Sequence, residues 1–229
     1  MALDPETLNQ LIETVRRFVD ERLIPLEHQV AEDDKVPDDL IAEMKDMGLF
    51  GLSIPEEYGG LGLTMEEEAL VCLELGRTSP AFRSAFGTNV GIGSQGIVID
   101  GTEAQKREYL PKIASGEYVT SFALTEPDAG SDAGSLKTTA HTDGGDYLLN
   151  GTKRFITNAP RADILTVMAR TNTEIKGAGG ISAFIVRRDT PGLSFGKPEK
   201  KMGQQGAHIS DVIFEDCRVP AENIIGSVE

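Results

Sequence analysis

The chain has 229 residues, with 37 Asp+Glu against 22 Lys+Arg and a formal net charge of −15. That balance leaves no basic face large enough for nucleic acid or an anionic membrane surface, and no apolar run reaches the ~18–20 residues of a spanning helix. Met1-Ala2-Leu3-Asp4-Pro5 does not read as a signal peptide. Two widely separated cysteines, Cys72 and Cys217, suit a reducing compartment and give no metal spacing, so a cytoplasmic protein is expected.

The grammar changes near residue 117. The first 117 residues hold 23 of the acids and 10 of the bases. Leu8, Leu11, Ile12, Val15, Phe18, Val19 and Leu23 recur at three- and four-residue steps and predict one long amphipathic helix. Pro37 and Asp38 open a second helix, stopped by Gly48. Thr64-Met65-Glu66-Glu67 has capping-box spacing and starts a third, ending at Gly76. A fourth is predicted over Ala81–Ile99 and a fifth from Thr102.

Beyond residue 117, β-branched residues at period two predict strands over Tyr118–Leu124, Leu136–Thr142, Tyr147–Asn150, Thr152–Asn158, Ile164–Ala169, Ile181–Arg187 and His208–Phe214. Asn150-Gly151 reads as a type I′ hairpin turn and Thr190-Pro191-Gly192 as another turn. The fold class is therefore α+β and multi-domain: an all-α domain over residues 1–117, then an all-β, barrel-like domain over 118–229.

Two segments carry unusual chemistry. Thr125-Glu126-Pro127-Asp128-Ala129-Gly130-Ser131-Asp132 follows a strand and is too polar for core. Gly130 and Ser131 there bring backbone N–H groups within reach of a ligand, or else the segment is an ordinary capped turn. In Lys153-Arg154-Phe155-Ile156-Thr157-Asn158, alternation puts Phe155 and Thr157 on one face and Ile156 on the other. An aromatic ring beside a hydroxyl suits a flat cofactor; the competing reading places Phe155 in the core. Gly91-Ile92-Gly93-Ser94-Gln95-Gly96 matches a dinucleotide fingerprint in letters only, because no βαβ unit surrounds it, and it reads instead as a glycine-thinned helix face. The histidines and cysteines form no zinc pattern, and no G-x-S-x-G elbow occurs.

Ala123-Leu124-Thr125-Glu126-Pro127-Asp128-Ala129-Gly130-Ser131-Asp132 and Asn150-Gly151-Thr152-Lys153-Arg154-Phe155-Ile156-Thr157-Asn158 resemble the two signature segments of the acyl-CoA dehydrogenases. Gly101–Lys106, Tyr109–Pro111, Met202-Gly203 and Arg218–Asn223 fit the same family in the same order. The resemblance implies an FAD-dependent α,β-dehydrogenation of an acyl-CoA thioester in fatty-acid or branched-chain acyl oxidation. It implies an electron-transfer flavoprotein as acceptor and a homotetramer, a dimer of dimers, for the full-length enzyme. It assigns Phe122, Ala123, Leu124 and Thr125 to the edge of the flavin, and Phe155, Ile156 and Thr157 to its face and N5 side. Gly130 and Ser131 go to FAD phosphate and the pantetheine arm, and Ser84 and Thr88 to the acyl-tail cavity.

The family's glutamate base and its C-terminal four-helix domain fall beyond Glu229. The expectation is therefore that the chain supplies flavin- and acyl-CoA-binding surface but no catalytic base. Residues 1–229 alone are expected to be folded and association-prone, with weak or absent FAD binding and no turnover. The alternative is a non-catalytic module that binds acyl-CoA or FAD and needs a separate C-terminal partner.

Overall fold

The computed structural model describes residues 2–226. Asp4 opens helix α1 (Pro5–Phe18), its carboxylate accepting the N–H groups of Glu6 and Thr7. The apolar stripe continues past this helix, but the helix does not. A π turn over Val19–Leu23 leads to Pro25, which has no N–H to donate. A separate helix, α2 (Glu27–Asp33), follows and ends on left-handed Asp34. Then come α3 (Asp38–Asp46), stopped by left-handed Gly48, and α4 (Met65–Leu75), whose Thr64–Glu67 capping box is formed.

The helix expected over Ala81–Ile99 is two helices, α5 (Pro80–Val90) and α6 (Gln95–Asp100). The glycines at 91 and 93 form the turn between them rather than a thinned helix face. A Cβ on Gly93 would stand 2.1 Å from the Thr120 hydroxyl oxygen, so this turn packs directly on the first strand. Helix α7 (Glu103–Ala114) has its own capping box, Thr102 with Gln105.

Eight strands follow: β1 (Thr120–Ala123), β2 (Thr139–Asp143), β3 (Asp146–Thr157), β4 (Ile164–Arg170), β5 (Ile181–Arg187), β6 (Leu193–Phe195), β7 (Ile209–Val219) and β8 (Ile224–Ile225). They form one sheet in the order β6-β7-β3-β2-β4-β5-β8, with β1 parallel to β4. Strands β6 and β8 end the path without pairing to each other, so the sheet is open and not a closed barrel. Strands β6 and β8 and the outer half of β7 escaped the sequence pattern, being short or too polar.

The hairpin expected at Asn150-Gly151 is not there. Both residues lie inside the single long strand β3, at a register shift against β7. Asn150 exchanges two hydrogen bonds with Asp216, one to its carboxylate at 3.0 Å and one from its N–H at 2.9 Å. Gly151 sits at φ 147°, and a Cβ there would meet the Thr138 backbone at 2.8 Å, so the position calls for glycine. The true β2–β3 turn is at Gly144-Gly145, with φ of 60° and 97°.

The helices enclose one core around Phe50, Phe82 and Phe86, and the sheet encloses another around Leu149, Phe184 and Phe214. Two buried asparagines join them. Asn89 on α5 donates to the carbonyls of Ile113 and Tyr118 and accepts the Thr120 N–H at 2.9 Å. Asn158, left-handed at the end of β3, donates to the Ser84 carbonyl at 2.8 Å and to the Thr88 hydroxyl at 2.9 Å. Helix α5 is thereby fixed across the ends of β1 and β3. Among the described residues no helix is long and apolar enough to cross a membrane.

Candidate flavin and acyl-CoA site

The Asn158 clamp sets Ser84 of α5 beside Phe155 and Thr157 of β3. Together with Lys201, Gly203, Gln204, Ala207 and Ile209 they line a cavity of about 370 Å3. One sequence-predicted substrate residue and two predicted flavin residues thus meet at one opening between the domains.

The strand beneath is bulged. Lys153 pairs with Val212 and Ile156 with Ser210, so three steps on β3 oppose two on β7. The residue that absorbs the difference is Phe155, at φ 59°. A non-glycine residue in the left-handed region costs roughly 1–2 kcal/mol. The conformation turns the ring outward, where it is 53% exposed, with the Arg154 guanidinium 4.8 Å from its centroid. The core reading of Phe155 is therefore excluded. Ile156 points the other way into the sheet core at 2% exposure.

Strand β1 reaches the same place from the other side. The Ser121 hydroxyl donates to the Thr157 carbonyl at 2.6 Å, and the Arg154 N–H donates to the Thr125 carbonyl at 2.8 Å. Phe122, Leu124 and Thr125 are half-buried beside the bulge. Ala123 is fully buried, its main chain included, so the structure does not support its assignment to the flavin edge.

Of the eleven assigned residues only Ser84, Phe155 and Thr157 line the cavity; Phe122, Ala123, Leu124, Thr125, Ile156, Gly130, Ser131 and Thr88 do not. Gly130 and Ser131 are exposed on the loop after β1, with open space around the Gly130 Cα. Thr88 is buried behind Ser84 with its hydroxyl engaged by Asn158. The sequence reading missed the far wall, Lys201 to Ile209. Its conformation is set from the helical domain: the Asp34 carboxylate accepts the Gly206 N–H at 2.6 Å and lies 3.4 Å from the His208 ring. The Gly206 N–H, with the Lys201 ammonium nearby, holds Asp34 below its ordinary pKa against the opposing effect of burial.

Glu126 does not face the cavity. Its side chain is buried, accepting the N–H groups of Lys137 and Thr138 at 2.6 and 2.9 Å and the Lys153 ammonium at 2.7 Å. Burial alone would raise its pKa, but the Lys153 ammonium and these N–H groups outweigh it and hold Glu126 below the usual carboxylate range. Among the described residues lining the cavity there is no carboxylate.

These observations define a two-domain α+β protein whose domain junction leaves an exposed aromatic ring and a hydroxyl at one cavity. No core packing accounts for the strained conformation that holds the ring there.

The acyl-CoA dehydrogenase N-terminal domain matches residues 5–117 and the middle domain of the same family matches residues 121–217. The chain belongs to the acyl-CoA dehydrogenase family. It is 42% identical over 212 residues to an acyl-CoA dehydrogenase of Bacillus subtilis (strain 168), covering 93% of this chain and 56% of that protein. It is 40% identical over 224 residues to the mitochondrial isovaleryl-CoA dehydrogenase of Pongo abelii, covering 96% of this chain and 53% of that protein. The structure of butyryl-CoA dehydrogenase from Megasphaera elsdenii superposes with a TM-score of 0.91 at 33% identity, over 99% of this chain and 60% of that one. The chain spans about half the length of the curated relatives it matches.

Proposed function

We propose that this chain serves FAD-dependent α,β-dehydrogenation of an acyl-CoA thioester, supplying the flavin-facing wall and part of the acyl-CoA surface. The observation that carries the reading is Phe155, exposed and left-handed, beside Thr157 and Ser84 at one cavity. FAD, when bound, supplies the hydride acceptor for the substrate's β-carbon. Phe155 packs on its flat face and the Thr157 hydroxyl hydrogen-bonds it. The main chain of Phe122, Leu124 and Thr125 and the Thr125 hydroxyl meet its polar edge, while Gly130 and Ser131 hold phosphate and pantetheine oxygens. Ser84 borders the acyl group, with Thr88 behind it setting the depth. The domains divide at 1–117 and 118–229, and the reading takes a cytoplasmic homotetramer with an electron-transfer flavoprotein as acceptor, as the family resemblance implies.

Removing the α-proton needs a carboxylate within hydrogen-bond reach of it. Among the described residues the cavity lining has none, and Glu126 is committed to Lys153 and two N–H groups. On this reading residues 1–229 do not turn over by themselves. The test is dye reduction by residues 1–229 with saturating FAD and a panel of acyl-CoAs. No turnover is expected; any turnover by residues 1–229 would overturn this assignment.

A further inference from the structure

The bulge that presents Phe155 needs something to hold it, and the buried pair beneath it is placed to do so. Lys153 is the last register-paired residue before the bulge and is completely buried, an environment that leaves a charged group few options. Its ammonium donates to the Leu124 carbonyl at 3.1 Å and to Glu126 Oε1 at 2.7 Å. One residue later, the Arg154 N–H donates to the Thr125 carbonyl at 2.8 Å. The carboxylate of Glu126 is itself fixed by the N–H groups of Lys137 and Thr138, ahead of β2. One ion pair thus ties the segment after β1, the approach to β2 and the bulge of β3 at a single point.

A buried ion pair is a poor device for stability, because desolvation offsets its attraction, and its best-attested use is to specify one arrangement. Here that arrangement is the register of Phe155 against Leu124 and Thr125. We propose that Lys153 and Glu126 are positioning residues: their pair locks the β3 bulge to the signature segment and so presets the wall formed by Thr125, Phe155 and Thr157. The flavin part of this inference rests on the proposed function; the lock itself does not. Removing the Lys153 ammonium releases the Leu124 carbonyl and strands the Glu126 carboxylate. Removing the Glu126 charge leaves Lys153 buried and unpaired.

The test uses residues 1–229 labelled with nitrogen-15, and three variants: Glu126→Gln, which keeps the shape, Lys153→Met, and Val186→Ala as a control for lost stability. Val186 is fully buried in the sheet core on β5, away from the bulge. Amide hydrogen exchange at Arg154 and Asn158 is read without flavin. Exchange there faster by about tenfold or more in Glu126→Gln than in Val186→Ala supports the lock, since local opening is then uncoupled from global stability. Exchange no faster than in the control overturns it. Should Lys153→Met not fold, Glu126→Gln decides the matter alone. Adding FAD then reads the functional half: the Thr157 amide shift seen in the unchanged chain is lost in Glu126→Gln but kept in Val186→Ala. A Thr157 shift that Glu126→Gln retains in full overturns the positioning role. No FAD-induced shift at Thr157 in the unchanged chain refutes the flavin reading, and the exchange result still judges the lock.

Discussion

Phe155 offers the sharpest separation of stability from function. The left-handed backbone at φ 59° burdens any side chain with a Cβ by roughly 1–2 kcal/mol, and glycine escapes it. Glycine's extra freedom in the unfolded chain offsets about 0.5–1 kcal/mol of that relief. The ring is 53% exposed and contributes little burial; its main partner is the Arg154 guanidinium at 4.8 Å, a contact worth about 0.5–1 kcal/mol at such a site. Phe155→Ala loses the contact and keeps the strain, so it melts below the unchanged protein. Phe155→Gly loses the contact and sheds the strain, so it stays close to the unchanged protein. The gap between the two variants is about 1 kcal/mol, or roughly 2–4 °C in a domain of this size. Thermal melts followed by circular dichroism measure it, and FAD binding falls in both variants. Equal melting of the two, or glycine below alanine, refutes the claim that the bulge is strained at this residue.

Gly151→Ala destabilises by about 2 kcal/mol or more, because its Cβ would stand 2.8 Å from the Thr138 backbone at φ 147°; urea unfolding that moves by less than half of that disproves the close approach. Acid sensitivity follows from Glu126, whose folded pKa lies below its unfolded value of about 4.3. The stability it contributes is complete above that unfolded value and is lost as pH falls through the folded one. Glu126→Gln removes this part of the acid limb, so its stability falls less steeply than that of the unchanged chain as pH drops below about 4.3; parallel curves from urea unfolding across pH contradict the assignment. Cys217 is fully buried and burial pushes its thiol up to about 11, so it reacts with a disulfide reagent only on unfolding; a Cys72→Ser variant that titrates promptly in the native state contradicts this.

The helix caps were legible because they are local: Thr64 with Glu67 and Thr102 with Gln105 satisfy their own N–H groups without help from the rest of the fold. The break between α5 and α6 was not, since its Gly93 packs on a neighbour, Thr120, that lies far along the chain. Asn150-Gly151 misled for the same reason. Its side chain is claimed by Asp216 and its glycine by Thr138, and neither partner is visible in a short window. At the candidate site, alternation correctly separated Phe155 from Ile156 but carried no hint of the bulge that makes Phe155 prominent. The wall from Lys201 to Ile209 has no periodic pattern, and it takes its shape from Asp34 in the other domain. The pairing of Lys153 with Glu126 left no signal in the sequence, because it joins a strand residue to a polar loop 27 residues earlier.

The most direct test of the central claim is a titration of nitrogen-15-labelled residues 1–229 with FAD, followed amide by amide, which registers even weak binding. The expected shifts concentrate at Leu124 and Thr125, at Phe155 to Thr157, and along Lys201 to Ile209, and they vanish in Phe155→Ala. Shifts centred elsewhere on the sheet, or a pattern unchanged by removing the Phe155 ring, would contradict it.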